Sequence, residues 1–273
     1  IMLAAAKTQK YAVVIGGGLL GLEAANGLMK QGMDVTVIHN YDVLMNRQLD
    51  HPAAKMLESS LIERGLHFKL EAITKAIIGN KQGNVTGLAF EDGEEIPADL
   101  VVMAVGIRPN ITLAETIGLH CNRGIFVNDT MQTYDPSIYA VGECIEHRGD
   151  TFGLVAPLFE QAKVCANHLT GHGVAEYITL PTATKLKVTG INLFSVGHYL
   201  GDDECEFIQF SDLSLGIYKK LVIKDNCIVG AVLYGETTEG GWYQQLLDSK
   251  QDISDMRDKL IFGEAYATQD ITA

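Results

Sequence analysis

The 273-residue sequence lacks three features that would each assign it to a class of proteins. Basic residues are few: 21 Lys and Arg stand against 34 Asp and Glu, a formal net charge of -13, and form none of the clusters that nucleic-acid phosphates require. No apolar run approaches the roughly 20 residues that cross a bilayer. The first residues also lack the pattern of a secretory signal. We therefore expect a cytoplasmic protein that binds neither nucleic acid nor membranes.

The cysteines are scattered, and none forms the close pair expected of a redox disulfide or a zinc knuckle. Their positions are Cys121, Cys144, Cys165, Cys205 and Cys227. We interpret them as unpaired thiols in a reducing compartment. The histidines are equally dispersed, whereas metal ligands must converge, so no metal site is expected.

The N-terminal part of the sequence has the pattern of a nucleotide-binding βαβ unit. Residues 11–15 form a short, uncharged, β-branched run, which is typical of a buried strand in a parallel sheet. Residues 19–30 predict a helix that Gly32 closes, and residues 35–38 predict a second strand. A strand, a glycine turn, a helix and a strand thus follow within about thirty residues, as a βαβ unit requires.

The glycine turn of this unit matches the G-x-G-x-x-G fingerprint of a dinucleotide-binding site. It consists of Gly16, Gly17, Gly18, Leu19, Leu20 and Gly21. Gly16 permits the tight turn, Gly18 lets the backbone approach a pyrophosphate, and Gly21 allows the helix to pack close to the strand. The anion then lies at the helix N-terminus, where amide groups and the helix dipole attract it. A tight turn that binds nothing is the weaker alternative.

The positions near the fingerprint leave the choice of nucleotide open. At the end of the second strand, where Asp or Glu accepts from the ribose in an NAD site, the chain has His39. Asp42 is close by and no Arg follows at once to hold a 2′-phosphate, which favours NADH over NADPH. His39 is either a cofactor contact or a neutral residue packing against the adenine edge. Glu23 is either a surface position of the helix or a group near the nicotinamide end of the cofactor.

Patterns beyond the βαβ unit predict the remaining elements. A helix over 52–64, an antiparallel meander over 76–95 and a buried strand over 99–105 complete the first domain. A loop and a short helix follow, then a buried strand over 138–141 and a helix over 152–169. The tail alternates strands and ends in one or two helices, which predicts a separate α+β lobe. The predicted strands of this lobe are 185–188, 193–196, 206–210, 217–223 and 228–233.

Residues 133–143 are similar to a second fingerprint, that of the two-dinucleotide-binding-domain flavoproteins, or pyridine nucleotide-disulfide oxidoreductase superfamily. In that family a Thr precedes an apolar strand and Ala-x-Gly-Asp, whose carboxylate lies on the ribitol of FAD. Gly142 and Glu143 stand at the Gly-Asp positions, with a side chain one methylene longer than Asp. The segment 106–110, which begins with Gly106, resembles the family's return from the NAD domain to the FAD domain.

This resemblance implies that FAD, rather than a protein side chain, carries the chemistry. NAD(P)H would pass a hydride to the flavin, and no catalytic side chain is expected in the protein. The helix after residue 152 would aim its N-terminus at the flavin ring, where the helix dipole favours the charge of the reduced form. The missing redox disulfide argues against glutathione- and lipoamide-type reductases.

Further segments resemble a narrower group, the large subunits of assimilatory NAD(P)H nitrite reductases. They are residues 18–27, 44–50, 139–149 and 186–190. The resemblance implies a first FAD half upstream of this chain, with iron–sulfur and sirohaem segments downstream, so that these residues form the diaphorase part. Two alternatives stay open. One is a stand-alone NAD(P)H-dependent ferredoxin or rubredoxin reductase or NADH oxidase of the same superfamily, and the other is a catalytically inert nucleotide-binding fragment.

These inferences together predict an α/β fold with three domains. A Rossmann-like three-layer βαβ NAD(P)H domain with a meander covers residues 8–110, the second half of an FAD domain covers 111–174, and an α+β domain covers 175–273. The expected partners are NAD(P)H and either downstream iron–sulfur and sirohaem segments or a redox partner protein. A homodimer is an open alternative to the monomer.

Overall fold

The computed structural model describes residues 2–188 and 190–268. Contacts divide the chain into two compact units. The first extends to Val105 and resumes at Ala183, and the second runs from Gly106 to Thr182. The sequence instead suggests domain boundaries after residues 110 and 174.

The C-terminal lobe joins the first unit because it shares a hydrophobic core with the predicted NAD(P)H domain. Ile191, Leu193 and Tyr218 of the lobe are at most 4% exposed. They belong to the same buried cluster as Val35 and Leu57, which come from the N-terminal half of the unit. Such a shared core joins segments far apart in the chain, so local sequence patterns do not reveal it.

The elements up to Val105 form a parallel sheet with helices and a meander. In chain order they are α1 (Met2–Ala5), β1 (Tyr11–Ile15), α2 (Leu19–Lys30), β2 (Asp34–Ile38), α3 (His51–Glu63), β3 (His67–Lys69), β4 (Thr74–Gly79), β5 (Val85–Phe90), β6 (Glu95–Pro97) and β7 (Leu100–Met103). The parallel sheet has the order β3-β2-β1-β7, and β4, β5 and β6 form the antiparallel meander. The predicted elements of this region are confirmed, with small shifts at their ends.

The side chains of β1 connect three layers. Ala12 and Val14 lie in a core with residues of α2 and α3, whereas Val13 lies in a second core with Leu88 and Phe90 of the meander. A strand that is buried on both faces needs an apolar residue at every position. This explains the uninterrupted apolar run of β1, and it gives the arrangement of helices, parallel sheet and meander that the sequence predicts.

The second unit contains a small mixed sheet and one long helix. Its elements are α4 (Thr112–Thr116), β8 (Ile125–Val127), β9 (Ile145–His147), β10 (Asp150–Thr151) and α5 (Val155–Leu169). Strand β9 pairs in parallel with β8 and antiparallel with β10. The predicted helix over 152–169 is confirmed from Val155 onward. Within the described ranges, no helix has both the length and the apolar character of a membrane span.

One predicted element of the second unit is wrong. The segment 138–141 is not a buried strand but an irregular, partly exposed stretch with a single β-bridge between Tyr139 and Gln132. The hydroxyl of the nearby Thr133 lies 3.1 Å from the carbonyl oxygen of Ile138. The same carbonyl also accepts from the amide of Thr133 at 3.0 Å, and the amide of Ala140 donates to the carbonyl of Met131 at 3.1 Å. These two backbone bonds form the bridge, and the pairing does not continue into a ladder.

The C-terminal lobe is a five-stranded antiparallel sheet followed by short helices. Its elements are β11 (Thr184–Val188), β12 (Ile191–Gly197), β13 (Glu206–Asp212), β14 (Ile217–Lys224), β15 (Cys227–Tyr234), α6 (Gly240–Ser249), a 3-10 helix (Ser254–Phe262) and α7 (Glu264–Ala267). The strand order is β11-β12-β15-β14-β13. All five predicted strands are confirmed. Thr189, in the segment 186–190, and residues 269–273 of the predicted last domain lie outside the described residues.

Candidate nucleotide-binding site

The turn between β1 and α2 admits no side chain at its first and last glycine. Gly16 has a φ of +117°, and a Cβ atom there would lie 2.2 Å from the carbonyl oxygen of Ala104. A Cβ atom on Gly21 would lie 1.9 Å from the carbonyl oxygen of Gly16. Both distances are far below van der Waals contact, so any other residue would push α2 away from the sheet. These two glycines therefore bring the start of the helix close to β1 and β7.

Gly18 differs because the space beside it is open. A Cβ atom on Gly18 would meet no atom within 4 Å, and its φ of -87° is accessible to any residue. Gly18 is the N-cap of α2, and no side chain caps this helix. The amide groups of the first turn thus lack a side-chain acceptor, and the positive end of the helix dipole adjoins the open space. A phosphate group is the ligand that such a helix start binds best.

His39 lies beneath the turn rather than beside it. A Cβ atom on Gly17 would lie only 2.9 Å from His39 Cγ, and the Gly17 amide donates to His39 Nδ1 at 3.3 Å. Because Nδ1 accepts, the ring proton is on Nε2, which lies 3.3 Å from Asn46 Oδ1. Burial lowers the pKa of His39, with a smaller opposing effect from the hydrogen bond to Asn46. The imidazole is therefore neutral and supports the backbone of the turn.

The structure brings some of the predicted site residues together and leaves others apart. The glycines converge with His39, while Leu19 packs partly against the core and Leu20 is 65% exposed. Glu23 is exposed on α2, and within the described part of the chain its side chain makes no hydrogen bond or ion pair. A contact of Glu23 or His39 with the nucleotide stays a prediction.

Sequence reasoning missed the segment 44–50 as part of the site. The amide of Met45 donates to the carbonyl oxygen of Gly17 at 3.0 Å, and Leu44 packs under the same glycine. Asp50 ends the segment and caps α3 by accepting from the amide of Ala53. The resemblance of residues 44–50 to a known subfamily was a signal, but it did not say what the segment contacts.

The second unit holds the predicted FAD-contacting turn. Gly142 has a φ of +105°, and its amide donates to Oε1 of Gln161 at 2.9 Å. Gln161 is fully buried in α5, at core spacing with Val164 and Cys165, and this polar residue on a buried face was the signal that sequence reasoning missed. Glu143 is exposed, and among the described residues its carboxylate has no hydrogen-bond or ion-pair partner. A carboxylate of this kind can accept from the hydroxyl groups of a ligand.

Gly106, the remaining predicted site residue, opens the second unit. It is exposed, has a φ of +102°, and a Cβ atom there would meet no atom within 4 Å. A positive φ favours glycine at this point, where the chain leaves β7. The structure therefore gives Gly106 a role in the backbone turn, and a cofactor contact by it stays a prediction.

A partly exposed cluster around Asp129 orders the chain before β9. Asp129 accepts from Arg148 through Nε at 2.9 Å and Nη2 at 2.6 Å, and from His147 Nε2 at 2.9 Å. These bonds lower the pKa of Asp129 to about 2, first through Arg148 and then through His147. The backbone carbonyl of Asp129 also accepts from the amide of Tyr177 at 2.7 Å. The cluster joins β9 to the segment after α5, and it stabilises the unit rather than forming a site.

One histidine that the sequence treats as isolated has close neighbours. His198 Nε2 lies 3.6 Å from Asp202 Oδ2, and Cys205 donates to Asp202 Oδ1 at 3.3 Å. The same Oδ1 accepts from the amide of Glu204 at 3.0 Å, and Lys224 Nζ lies 3.9 Å from Oδ2. The bonds to Asp202 Oδ1 are those of a turn between β12 and β13. The ion pair between Asp202 and Lys224 connects this turn to β14.

Comparison with known proteins matches two families along the chain. The family described as pyridine nucleotide-disulphide oxidoreductase matches residues 2–168. The family described as rubredoxin NAD+ reductase C-terminal domain matches residues 182–251. The first match ends at residue 168, within the second structural unit, and the second begins at residue 182, where that unit ends.

Individual relatives agree with these matches. The nitrite reductase [NAD(P)H] of Bacillus subtilis (strain 168) is 53% identical over 254 residues, which is 93% of this chain and 31% of that protein. The assimilatory nitrate reductase electron transfer subunit of the same organism is 46% identical over 92% of this chain and 32% of its own length. The chain thus spans about a third of the length of these curated relatives. The solved complex of putidaredoxin reductase with putidaredoxin matches with a TM-score of 0.81 and 25% identity, over 96% of this chain and 65% of that chain.

Proposed function

Because the chain belongs to the pyridine nucleotide-disulphide oxidoreductase family, we propose that it is the NAD(P)H-to-FAD electron-transfer (diaphorase) module of an assimilatory nitrite reductase large subunit. The observation that carries this proposal is the open space at Gly18, beside the uncapped start of α2 and between two glycines that admit no side chain. A dinucleotide pyrophosphate needs this combination of close backbone approach and free amide donors.

The nucleotide-binding role is divided among the residues of the turn. Gly16 and Gly21 fix the distance between helix and sheet, and Gly18 leaves the space in which the pyrophosphate would lie. Leu20, which is 65% exposed, would cover one side of the nucleotide. His39 holds the backbone of the turn from below, so we assign the ribose contact to the exposed residues that follow it, beginning with Asn40.

The second unit carries residues that fit FAD. The exposed carboxylate of Glu143 would accept from ribitol hydroxyl groups, and Gln161 would hold the turn at Gly142 in place. Bound FAD supplies the chemistry by accepting a hydride from NAD(P)H and releasing its electrons singly. The protein residues therefore bind and orient, and none of them has to take part in a proton transfer.

Several finer assignments belong to the same proposal. We propose NADH as the preferred nucleotide, because no Arg directly follows His39 to pair with a 2′-phosphate. The electrons would pass to iron–sulfur and sirohaem groups of the parent protein outside these residues, or to a separate redox partner protein. We also propose a cytoplasmic location. We further propose that the chain associates into a homodimer, with a monomer as the alternative that a mass measurement in solution would distinguish.

A second candidate function is a reductase for a rubredoxin or ferredoxin. The observation that favours it is the match of residues 182–251 to the rubredoxin NAD+ reductase C-terminal domain. The solved relative was crystallised as a complex with putidaredoxin, which is a protein partner. Faster reduction of a rubredoxin than of ferricyanide by the reduced chain would favour this second candidate.

In the first experiment, the purified chain is mixed with FAD and then titrated with NADH in the absence of oxygen. The proposal predicts that a protein-bound flavin loses its visible absorption as NADH is added. A bound flavin that NADH leaves oxidised would contradict the proposal. A colourless protein that still binds NADH would support the third possibility, a nucleotide-binding protein that is inert without further segments.

A further inference from the structure

We propose that Tyr199 of the C-terminal lobe is a positioning residue for the nucleotide site, acting through hydrogen bonds that run over Asn46 and His39 to the amide of Gly17. The inference rests on the proposed function of the glycine turn as a pyrophosphate site. The four residues, called the support chain below, are Gly17, His39, Asn46 and Tyr199. The glycine end of the support chain is next to Gly18, beside which the space is open.

Gly17 is the point at which the turn is held. Its amide donates to His39 Nδ1 at 3.3 Å, and its carbonyl oxygen accepts from the amide of Met45 at 3.0 Å. Both polar groups of Gly17 therefore bond to the protein, whereas the space beside Gly18 is open. Since the two glycines share a peptide bond, a shift of Gly17 moves the amide of Gly18 with it.

The imidazole of His39 gives the support chain one direction. Nδ1 must accept from Gly17, so Nε2 carries the proton and donates to Asn46 Oδ1 at 3.3 Å. His39 is 8% exposed, which leaves little room for water to replace either bond. A buried donor or acceptor that loses its partner is costly, so the ring keeps this orientation.

Tyr199 reaches the same segment from the C-terminal lobe. Its hydroxyl donates to the backbone carbonyl of Asn46 at 3.2 Å. Burial raises the pKa of the Tyr199 phenol, so it stays a donor at neutral pH. A second lobe tyrosine, Tyr218, donates to Asp50 Oδ2 at 2.6 Å. The segment 44–50 is thus held by the lobe near its middle and at its end.

The consequence is that the lobe influences the geometry of the glycine turn through the segment 44–50. Tyr199→Phe removes one hydroxyl and keeps the ring that packs against the core. We expect the Kd for NADH to rise about 3-fold. This is less than the loss of a hydrogen bond to the ligand would cause, because the bond between Tyr199 and Asn46 is present in the free protein as well. Tyr266→Phe is the matched control, because Tyr266 is 64% exposed and its hydroxyl has no hydrogen-bond partner among the described residues.

The test combines NADH titration with the amide spectrum of the ¹⁵N-labelled full chain. We expect Tyr199→Phe, but not Tyr266→Phe, to shift the amide resonance of Gly17 while the unfolding temperature stays near that of the wild type. In a double-mutant cycle, His39→Leu already breaks the support chain. Adding Tyr199→Phe should then weaken NADH binding no further.

The outcomes separate the inference from the function on which it rests. A wild-type chain that does not bind NADH refutes the proposed function and the positioning role together. If the wild type binds NADH and Tyr199→Phe leaves the Kd unchanged, the proposed function stands and the positioning role is refuted, whether or not the Gly17 resonance moves. Additive losses in the double-mutant cycle would also refute it, because they would mean that Tyr199 acts independently of His39.

Discussion

Gly18 and Gly27 are the N-cap and an interior residue of α2, and a Cβ atom on either would meet no atom within 4 Å. Only Gly18 adjoins the uncapped helix start. We expect Gly18→Ala to raise the Kd for NADH about 10-fold or more, because the methyl group would occupy space that the pyrophosphate needs, a loss of about 1.4 kcal/mol. A fluorescence titration with NADH measures this effect.

Gly27→Ala is the control for the same helix. It should leave the Kd for NADH unchanged and stabilise the chain by about 0.5–1 kcal/mol, because alanine loses less backbone entropy than glycine in a helix. Equal NADH affinity for Gly18→Ala and the wild type would mean that no ligand approaches Gly18 closely.

His39 makes the stability of the chain dependent on pH. Burial lowers its pKa in the folded protein, whereas the unfolded chain titrates near about 6.5. The stabilising contribution is therefore complete above about pH 6.5 and is lost as the pH falls toward the lowered folded pKa. Glutamine cannot ionise, so the unfolding free energy of His39→Gln should fall less between about pH 7 and pH 5 than that of the wild type. The two slopes should differ by up to about 1.4 kcal/mol per pH unit. Urea denaturation at both pH values measures the difference, and parallel losses would contradict a neutral, buried His39.

At the scale of elements, Asp50 joins α3 to the C-terminal lobe. Its carboxylate caps α3, accepts from Tyr218 at 2.6 Å and lies 3.5 Å from Lys220 Nζ. We expect Asp50→Ala to destabilise the chain by about 2–4 kcal/mol, of which about 1 is the lost cap and the rest the buried Tyr218 hydroxyl without an acceptor. Chemical denaturation gives this value.

Two variants control for this effect. Asp50→Asn keeps an acceptor oxygen, so its loss of stability should be smaller than that of Asp50→Ala. Asp42→Ala removes an exposed carboxylate from the same connection between β2 and α3, and it should change the unfolding free energy very little. A similar loss for Asp42→Ala and Asp50→Ala would show that the cap and the Tyr218 bond contribute nothing specific.

At the scale of the whole molecule, the two compact units predict two unfolding transitions in calorimetry. Asp129→Asn should lower only the transition of the second unit, because its bonds to Arg148 and His147 lie within that unit. Asp50→Ala should lower only the unfolding temperature of the first unit. A single transition that both variants shift equally would mean that the units unfold as one.

The acid side of the same experiment follows from the pKa of Asp129, which is lowered to about 2. Its contribution is present above the unfolded value of about 3.9 and is lost as the pH falls toward about 2. The asparagine side chain of Asp129→Asn cannot be protonated in this range. The unfolding temperature of the second unit should therefore fall less between those two pH values in this variant than in the wild type.

The sequence by itself determined most of the elements and the glycine turn, because both are encoded locally. The uncharged run of β1 and the fingerprint from Gly16 to Gly21 lie next to each other in the chain, so their strand, turn and helix follow from periodicity and from the lack of a Cβ atom. The same holds for the meander and for the strands of the last lobe, whose turns carry their own signals. Family membership also followed from short motifs.

The tertiary structure alone decided what supports the site. His39 bonds to Gly17 across 22 residues of sequence, and Tyr199 bonds to Asn46 across 153, and no local pattern encodes either contact. The segment 138–141 has the composition of a strand, but strand formation requires a partner for its backbone groups, and its pairing stops at one bridge. The shared core likewise showed that the last lobe and the nucleotide domain form one unit. Burial depends on which segments pack together in the folded chain, so a single stretch of sequence does not reveal it.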